Sequence, residues 1–287
     1  MRQHRTIGGR RLSYIERPAR GAGRPLVLLH AFPFNADMWA PQFEAVPDDW
    51  RIIAPDFRGF GASDADSGDL AAGGPSIDDY ARDLVALLHA LGVREAVFGG
   101  LSLGGYVAFA LLRLLRREGP GAAQGPGMAG LVLADTRPQA DTAEGRANRL
   151  RMVDLLEREG TAAVARSLLP RLVAEETRRR RPDVPERVRE LMLAARPPAI
   201  AAALYRMMDR PDSTGLLAGI RCPTLIVVGE RDELTPPELS YQMQARIPNA
   251  TIAVLPDTGH MSNLENPEGF NAALTRFLDG VQPGLEP

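Results

Sequence analysis

The sequence predicts an α/β fold in which a mostly parallel central sheet is flanked by helices and carries an inserted helical segment. Short apolar runs bounded by turn residues recur along the chain, and several are continuous rather than alternating, as in strands that are covered on both faces. Helical patterns lie between these runs, and such alternation is typical of parallel sheets. The chain has 287 residues, of which 45% are hydrophobic, and can therefore bury the core of one large domain.

The strand predictions follow the apolar runs in chain order. The seven runs are residues 12–15, 25–30, 51–55, 96–100, 130–134, 224–229 and 251–255. A helix is predicted over residues 76–91, where Ser76 and Asp79 match a capping box, and another over residues 106–117. Residues 118–130 are rich in Gly, Pro and Ala and predict a flexible loop.

The alternation of strands and helices stops between residues 137 and 219. No strand pattern is visible there, and the helix-forming residues Ala, Leu, Arg and Glu dominate. We therefore predict a helical cap at residues 137–219, inserted into an α/β core that is formed by residues 1–136 and 220–287.

The net charge of the chain indicates which classes of binding partner are expected. The formal net charge is -2, so no basic excess favours a nucleic acid or a membrane surface, and a small-molecule substrate is expected. All 34 basic residues are arginine, which excludes mechanisms that need a lysine Schiff base or a lysine base. The sequence does not indicate the oligomeric state.

Residue spacing also bears on cofactors and on location. No group of His, Cys or carboxylate residues has the spacing of metal ligands, so we expect neither a metal nor another cofactor. The first residues of the chain lack an apolar core of signal-peptide length, and a cytoplasmic location is therefore expected.

Ser102 is the predicted nucleophile. Residues 100–104 match the pattern Gly-x-Ser-x-Gly, directly after a predicted strand and directly before a predicted helix. On so sharp a turn the hydroxyl is exposed, and the helix N-terminus beneath it favours developing negative charge. The alternative is an ordinary glycine-rich turn, but the strand, the helix and two further flanking glycines favour the nucleophile.

A serine nucleophile needs a base, and the chain has four histidines. His260 follows the last predicted strand and opens a loop before a C-terminal helical pattern, which favours it as the base. His30, at the end of an earlier strand, is the alternative. His4, in an N-terminus that we expect to be mobile, and His89, on a helical pattern, are predicted to be structural or solvated.

The carboxylate that orients the base should follow another strand, between the serine and the histidine in chain order. Asp232 lies just past the strand predicted at residues 224–229 and is favoured. Asp135, at the end of the strand predicted at residues 130–134, is the alternative. Asp257 is predicted to form a turn.

Four motifs in this order resemble those of the α/β-hydrolase superfamily, and the resemblance covers almost the whole chain. The first is the loop at residues 30–33, which is similar to a His-Gly-x-Pro segment with Ala31 in place of the glycine. The second is the Asp-x-Arg-Gly-x-Gly-x-Ser turn at residues 56–63, and the third is the nucleophile turn at residues 100–104. The fourth is a C-terminal helix with Pro267, Phe270 and Phe277. The resemblance implies an α/β-hydrolase fold and an oxyanion hole formed by the backbone N–H groups of Phe32 and Leu103. It also implies a structural role for His30.

The serine at position 102 narrows the chemistry within that superfamily. The dehalogenase and epoxide-hydrolase branches use an aspartate there, whereas this chain is most similar to small bacterial carboxylesterases and enol-lactonases. The predicted function is hydrolysis of a small carboxylic ester or lactone by Ser102, Asp232 and His260 through an acyl-enzyme. The alternatives are cofactor-free perhydrolysis or carbon-carbon bond hydrolysis by the same residues, or a ligand-binding protein with slow turnover.

The substrate pocket is predicted to be mainly apolar. Its expected wall consists of cap residues, namely Leu168, Leu169, Leu172, Leu204 and Met207. Residues 178–181 are four consecutive arginines, which on a helix would point to all sides, and they are predicted to lie on an exposed surface.

Overall fold

A computed structural model describes residues 1–21, 23–65, 76–117 and 125–281 of the chain. Its strands are β1 (Arg2–Ile7), β2 (Arg10–Arg17), β3 (Arg24–Leu29), β4 (Trp50–Pro55), β5 (Glu95–Leu101), β6 (Gly127–Ala134), β7 (Thr224–Gly229) and β8 (Ala250–Leu255). They form one sheet in the order β1-β2-β4-β3-β5-β6-β7-β8. The β4–β3, β3–β5, β5–β6, β6–β7 and β7–β8 pairs are parallel, and the β1–β2 and β2–β4 pairs are antiparallel. This mostly parallel sheet confirms the predicted fold class.

The helices lie between and after these strands. They are α1 (Ala40–Ala45), α2 (Ile77–Ala90), α3 (Leu103–Arg117), α4 (Ala143–Leu172), α5 (Glu175–Arg180), α6 (Asp183–Leu193), α7 (Pro197–Met208), α8 (Pro237–Gln244), α9 (Ser262–Glu265) and α10 (Pro267–Gly280). The predicted capping box of α2 is present: the Ser76 side chain accepts a hydrogen bond from the backbone N–H of Asp79, and the Asp79 carboxylate accepts one from the N–H of Ser76. Helix α3 begins three residues before its predicted start, immediately after Ser102.

Strand β1 was not predicted, because the N-terminus was expected to be mobile. It pairs with β2 through a tight turn in which Gly8 has φ 56° and Gly9 has φ 80°. Two residues with positive φ suit the right-handed twist of a hairpin, and Gly-Gly between two runs is a sequence signal for this turn. His4 lies on β1, opposite Ser13.

Strand β6 begins at Gly127, whereas the predicted strand begins at residue 130. Its first residues pair with β5, and the register shifts between Ala96 and Val97. Glycine is unfavourable in strands, so the sequence did not predict this part of β6, but pairing with β5 extends the strand over it. Of the predicted loop, residues 118–124 lie outside the described residues.

Apolar side chains cover both faces of the sheet. On one face Phe98 packs in a cluster with residues of α2 and α3, and on the other Val97 packs in a cluster with residues of α1 and α10. Successive residues of a strand point to opposite faces, so a strand covered on both sides is apolar at every position. This burial explains the continuous apolar runs of the central strands.

Residues 137–219 contain helices α4 to α7 and one 3-10 helix, Thr214–Gly219, between β6 and β7. Helix α4 packs against α6 and α7 and is interrupted at Gly160, where φ is 77°. The division of the chain into a core and an inserted cap stays a prediction. Within the described ranges, no helix combines the length and the apolar character needed to cross a membrane.

Candidate active site

Ser102 lies on a strained turn between β5 and α3. Its φ is 53°, a conformation that is rare for residues other than glycine. The neighbouring backbone passes so close that a Cβ atom on Gly104 would lie 2.1 Å from the Leu29 carbonyl oxygen, and one on Gly100 would lie 2.4 Å from the backbone of Gly104. Both glycines of the motif are therefore needed sterically, and the serine is held half-buried at the C-terminal edge of the sheet.

The steric role of Gly104 is testable. We expect Gly104→Ala to lower the free energy of unfolding by about 3 kcal/mol or more, because the Leu29 carbonyl belongs to a central strand that cannot move aside cheaply. Gly215→Ala is the matched control, since no atom lies within 4 Å of a Cβ built there. Denaturant unfolding of the three proteins measures the difference, and equal stability of both variants would contradict this account.

His260 lies in the loop between β8 and α9, and its side chain is buried. The Nδ1–H group donates a hydrogen bond of 2.8 Å to Oδ2 of Asp232. Burial acts to lower the pKa of His260, but the carboxylates around it, that of Asp232 foremost, outweigh burial and raise the pKa above the ordinary histidine value. The hydrogen bond also leaves Nε2 as the nitrogen that can accept a proton.

Asp232 follows β7 and is held by its own turn. Its Oδ1 accepts hydrogen bonds from the backbone N–H groups of Leu234 and Thr235 at 2.8 and 3.0 Å, and its Oδ2 accepts one from the Thr235 hydroxyl at 2.6 Å. Burial acts to raise the pKa of Asp232, but His260 and these donors hold it below the ordinary value. The carboxylate is therefore ionised beside the imidazole.

Asp135, the alternative acid, lies at the end of β6 with φ 44° and is fully buried. Its carboxylate accepts hydrogen bonds from the Gly229 backbone N–H at 2.9 Å and from the Ser262 hydroxyl. Burial first, and then the nearby charge of Asp232, raise the pKa of Asp135 well above its usual range. These bonds join Asp135 to β7 and α9, whereas Asp232 bonds the imidazole directly.

His30 is buried behind the loop that carries Phe32. Its Nε2 accepts a hydrogen bond of 3.0 Å from the Phe57 N–H, and its Nδ1–H donates one of 2.8 Å to the Ala31 carbonyl. Burial lowers the pKa of His30 to about 4, so the ring is neutral. His30 thus joins the loop of Phe32 to the loop after β4.

Asp56 joins the segment that follows this loop to the turn at residues 56–63, a role that sequence reasoning did not assign. Its carboxylate accepts hydrogen bonds from the backbone N–H groups of Ala36 and Ala62 at 2.9 and 3.2 Å. Gly61 has φ 51°, and a Cβ atom there would lie 2.2 Å from the Asp56 carboxylate. This close approach explains why the turn at residues 56–63 combines an aspartate with glycines.

A cavity of about 300 Å³ opens above Ser102, and we call it the active-site cavity. Ser102, His260 and Phe32 all border it, while Leu103 is buried as the first residue of α3. The first N–H groups of a helix have no acceptor within that helix, and the Leu103 N–H is one of these groups.

Four of the five apolar residues proposed for the pocket wall border the active-site cavity; they are Leu168, Leu172, Leu204 and Met207. Leu169 instead packs half-buried against an apolar cluster. Much of the remaining wall is polar or charged, and its side chains include Arg137, Asp141, Glu144, Asn148, Arg149 and Arg171. Several of these lie one or two turns apart at the start of α4, but helical spacing alone does not tell which face of a helix meets a cavity.

The four consecutive arginines at residues 178–181 lie away from the active-site cavity. Arg179, Arg180 and Arg181 are exposed, and Arg179 pairs with Glu176 at 2.7 Å. Arg178 is half-buried and borders a separate surface cleft together with Arg180.

This chain is similar in sequence and in fold to known proteins. Residues 26–273 match the sequence model of a family described as the alpha/beta hydrolase family. A thermophilic esterase from Thermogutta terrifontis is 38% identical, with a TM-score of 0.87 over 99% of this chain and 100% of that one. The enol-lactonase from Burkholderia xenovorans LB400 is 25% identical, with a TM-score of 0.82 over 96% and 100%. The 3-oxoadipate enol-lactonase 1 of Acinetobacter baylyi is 27% identical over 90% of this chain and 89% of its own length.

Proposed function

This chain belongs to the alpha/beta hydrolase family, and we propose that it is a serine hydrolase in which Ser102, His260 and Asp232 cleave small esters or lactones through an acyl-enzyme. Its relatives named above are an esterase and enol-lactonases, so the chain is an enzyme that acts on ester bonds. The observation that carries the proposal is the 2.8 Å bond from His260 to Asp232, beside a cavity that Ser102 also borders.

In the acylation step, the Ser102 hydroxyl oxygen attacks the carbonyl carbon of the substrate while Nε2 of His260 accepts its proton. Asp232 holds the imidazole in the tautomer that leaves Nε2 free, and it stabilises the imidazolium that forms. The negative charge moves to the carbonyl oxygen, which accepts hydrogen bonds from the N–H groups of Phe32 and Leu103. Each such donor stabilises the transition state by about 3 to 4 kcal/mol.

Acylation is complete when the carbon-oxygen bond to the leaving alcohol breaks and His260 gives its proton to that oxygen, which leaves the acyl group on Ser102. A water molecule then loses a proton to His260 and attacks the acyl group on Ser102. The resulting tetrahedral intermediate collapses: the bond between the acyl carbon and the Ser102 oxygen breaks, His260 gives its proton to that oxygen, and the carboxylic acid leaves. With a lactone, alcohol and acid remain joined in one ring-opened product.

Asp232 is the acid in this proposal because it bonds the imidazole and is ionised. Asp135 is adjacent, but its oxygens are occupied by the Gly229 N–H and the Ser262 hydroxyl. Burial and the nearby charge of Asp232 raise the pKa of Asp135 and so disfavour its ionised form, whereas His260 and the donors of its own turn favour the ionised form of Asp232.

The pH dependence follows from the pKa of His260. Only the neutral imidazole accepts the serine proton, so kcat/KM should fall as the pH drops through the pKa of His260. Because the surrounding carboxylates raise that pKa, the midpoint is expected above the ordinary histidine value. Asp232→Asn removes the main raising charge and should move the midpoint to lower pH. A profile that stays flat from about pH 5 to about pH 9 would contradict the role of His260.

The acyl-enzyme is tested directly by quenching the protein with acid a few milliseconds after it meets p-nitrophenyl butanoate. Mass spectrometry should find the butanoyl group on the peptide that contains Ser102, and p-nitrophenol should appear in a burst of about one equivalent. A ligand-binding protein with slow turnover would show neither the burst nor the modified peptide.

A further inference from the structure

Glu265 is a buried carboxylate that the proposed mechanism does not use. It is the last residue of α9 and is 4% exposed. Its Oε2 accepts a hydrogen bond of 2.9 Å from the backbone N–H of Ala174, and its Oε1 accepts one of 3.2 Å from the N–H of Met261. Because a buried carboxylate loses the hydration it has in water, such a bridge adds little to the stability of the fold by itself.

The two bonds of this carboxylate join the loop of the proposed base to the segment between α4 and α5. Met261 directly follows His260, and its N–H also donates to the carbonyl of Leu172, the last residue of α4, at 3.0 Å. Ala174 lies two residues further along the chain, immediately before α5. Since Leu172 borders the active-site cavity, the segment that holds the His260 loop also forms part of the cavity wall.

The residue before His260 lies against the same groups. A Cβ atom on Gly259 would lie 2.6 Å from the backbone nitrogen of Ala174 and 2.8 Å from Oε1 of Glu265. Arg181, the residue that follows α5, adds a bond of 2.9 Å to the Glu265 carbonyl. Glu265 therefore contacts the main chain on both sides of His260, and the segment around α5 holds it in place.

The groups around this carboxylate are hydrogen-bond donors. Burial raises the pKa of Glu265, whereas three backbone N–H groups and one hydroxyl favour its ionised form. These donors belong to Ala174, Gly259, Met261 and Thr177. A side-chain amide has a single acceptor oxygen, so glutamine cannot replace both carboxylate oxygens at this position.

We propose that Glu265 is a positioning residue, which holds the His260 loop against the segment between α4 and α5 and so keeps Nε2 of His260 directed toward Ser102. The inference rests on the proposed function, because it requires His260 to be the base. Asp232 fixes the imidazole ring through Nδ1, whereas Glu265 fixes the main chain from which that ring extends. A displacement of about 1 Å in a reacting group can cost about 100-fold in rate.

Glu265→Gln is the first test, because the amide NH₂ group would face one of the two N–H donors and displace the loop. For p-nitrophenyl butanoate, kcat should fall at least about tenfold. The same imidazole serves acylation and deacylation, so KM should change less than about threefold. Glu268→Gln, at an exposed glutamate of α10, is the matched control and should behave like the wild type. A folded Glu265→Gln protein with the kcat of the wild type would overturn the proposal.

Ala174→Pro tests the other end of the bridge, since it removes the N–H donor and leaves the carboxylate in the chain. Ala174 has φ −56°, and Val173 before it has φ −122° and ψ 128°, which suit a proline and the residue that precedes one. We expect kcat to fall at least about fivefold, again with little change in KM. This variant also decides the case in which Glu265→Gln does not fold. If neither protein folds, or if Ala174→Pro is fully active, the proposal is wrong.

Counting of active sites separates a misplaced base from a loss of folded protein. A fluorophosphonate probe at saturation should label Glu265→Gln to one equivalent, as in the wild type, but more slowly. The proton NMR signal of the His260 Nδ1–H group, which is bonded to Asp232, should move from its wild-type position. A fall in kcat that matches a fall in labelled sites would show a purely structural role and reject the proposal.

The wild-type protein separates this inference from the proposed function. If the wild type neither takes up the probe nor hydrolyses the ester, the serine hydrolase itself is rejected. If the wild type is labelled and active, and Glu265→Gln is labelled and turns over at the same rate, only the role of Glu265 is rejected.

Discussion

Ser102→Ala is expected to lower kcat/KM for ester hydrolysis by about 10⁴-fold to 10⁶-fold, because the proposed acyl-enzyme forms on the Ser102 hydroxyl. The substitution should leave the fold intact. In the structure the bonds of Ser102 to its surroundings are made by its backbone, whose N–H donates to Ala134 and whose carbonyl accepts from Gly105 and from the Thr136 hydroxyl. Alanine at φ 53° bears the same backbone strain as serine, so the stability should change little.

Covalent labelling adds a measurement that does not depend on the choice of substrate. A fluorophosphonate probe should modify the wild-type protein at Ser102 alone, and Ser102→Ala should not be labelled. Ser167→Ala, which alters an exposed serine of α4, is the matched control and should be labelled and active like the wild type. Labelling at another serine, or hydrolysis that survives in Ser102→Ala, would remove Ser102 from the mechanism.

Asp232→Asn is expected to lower kcat by about 10⁴-fold while preserving the structure. An asparagine amide can donate a hydrogen bond to Nδ1 of His260, which places the proton on Nε2 and blocks the nitrogen that must accept it. The amide also carries no charge to stabilise the imidazolium. The backbone donors of Leu234 and Thr235 can still bond the amide oxygen, so the turn itself should persist.

Asp135→Asn is the matched control for this variant, since it makes the same chemical change at the neighbouring buried carboxyl group. Its effect on kcat should stay below about tenfold, because the carboxyl group of Asp135 bonds Gly229 and Ser262, whereas the imidazole bonds Asp232. Circular dichroism and thermal unfolding verify that both variants are folded. If Asp135→Asn were the crippling change and Asp232→Asn nearly silent, the acid would have to be assigned to Asp135.

Local sequence patterns predicted the features that depend on neighbours in the chain. The turn at residues 100–104 is specified locally in part: a Cβ atom on Gly100 would collide with Gly104 in the same turn, whereas one on Gly104 would collide with Leu29 of β3. The central strands were found because burial on both faces makes most of their positions apolar, so that they stand out as continuous apolar runs. Strand β1 was missed although Gly8 and Gly9 signal its hairpin, because its own residues are mostly polar and exposed.

Tertiary structure was needed wherever two groups far apart in the chain meet. Sequence order left both Asp135 and Asp232 as possible acids, and only the packing of β6, β7 and the His260 loop shows that His260 donates to Asp232 at 2.8 Å. The wall of the cavity was expected to be apolar, but the approach of α4 to the end of β6 brings Arg137 and Arg149 around Asp141 beside the leucines. The periodicity of a sequence distinguishes the apolar face of a helix from its polar face. Contacts with segments distant in the chain decide which of these faces borders the cavity.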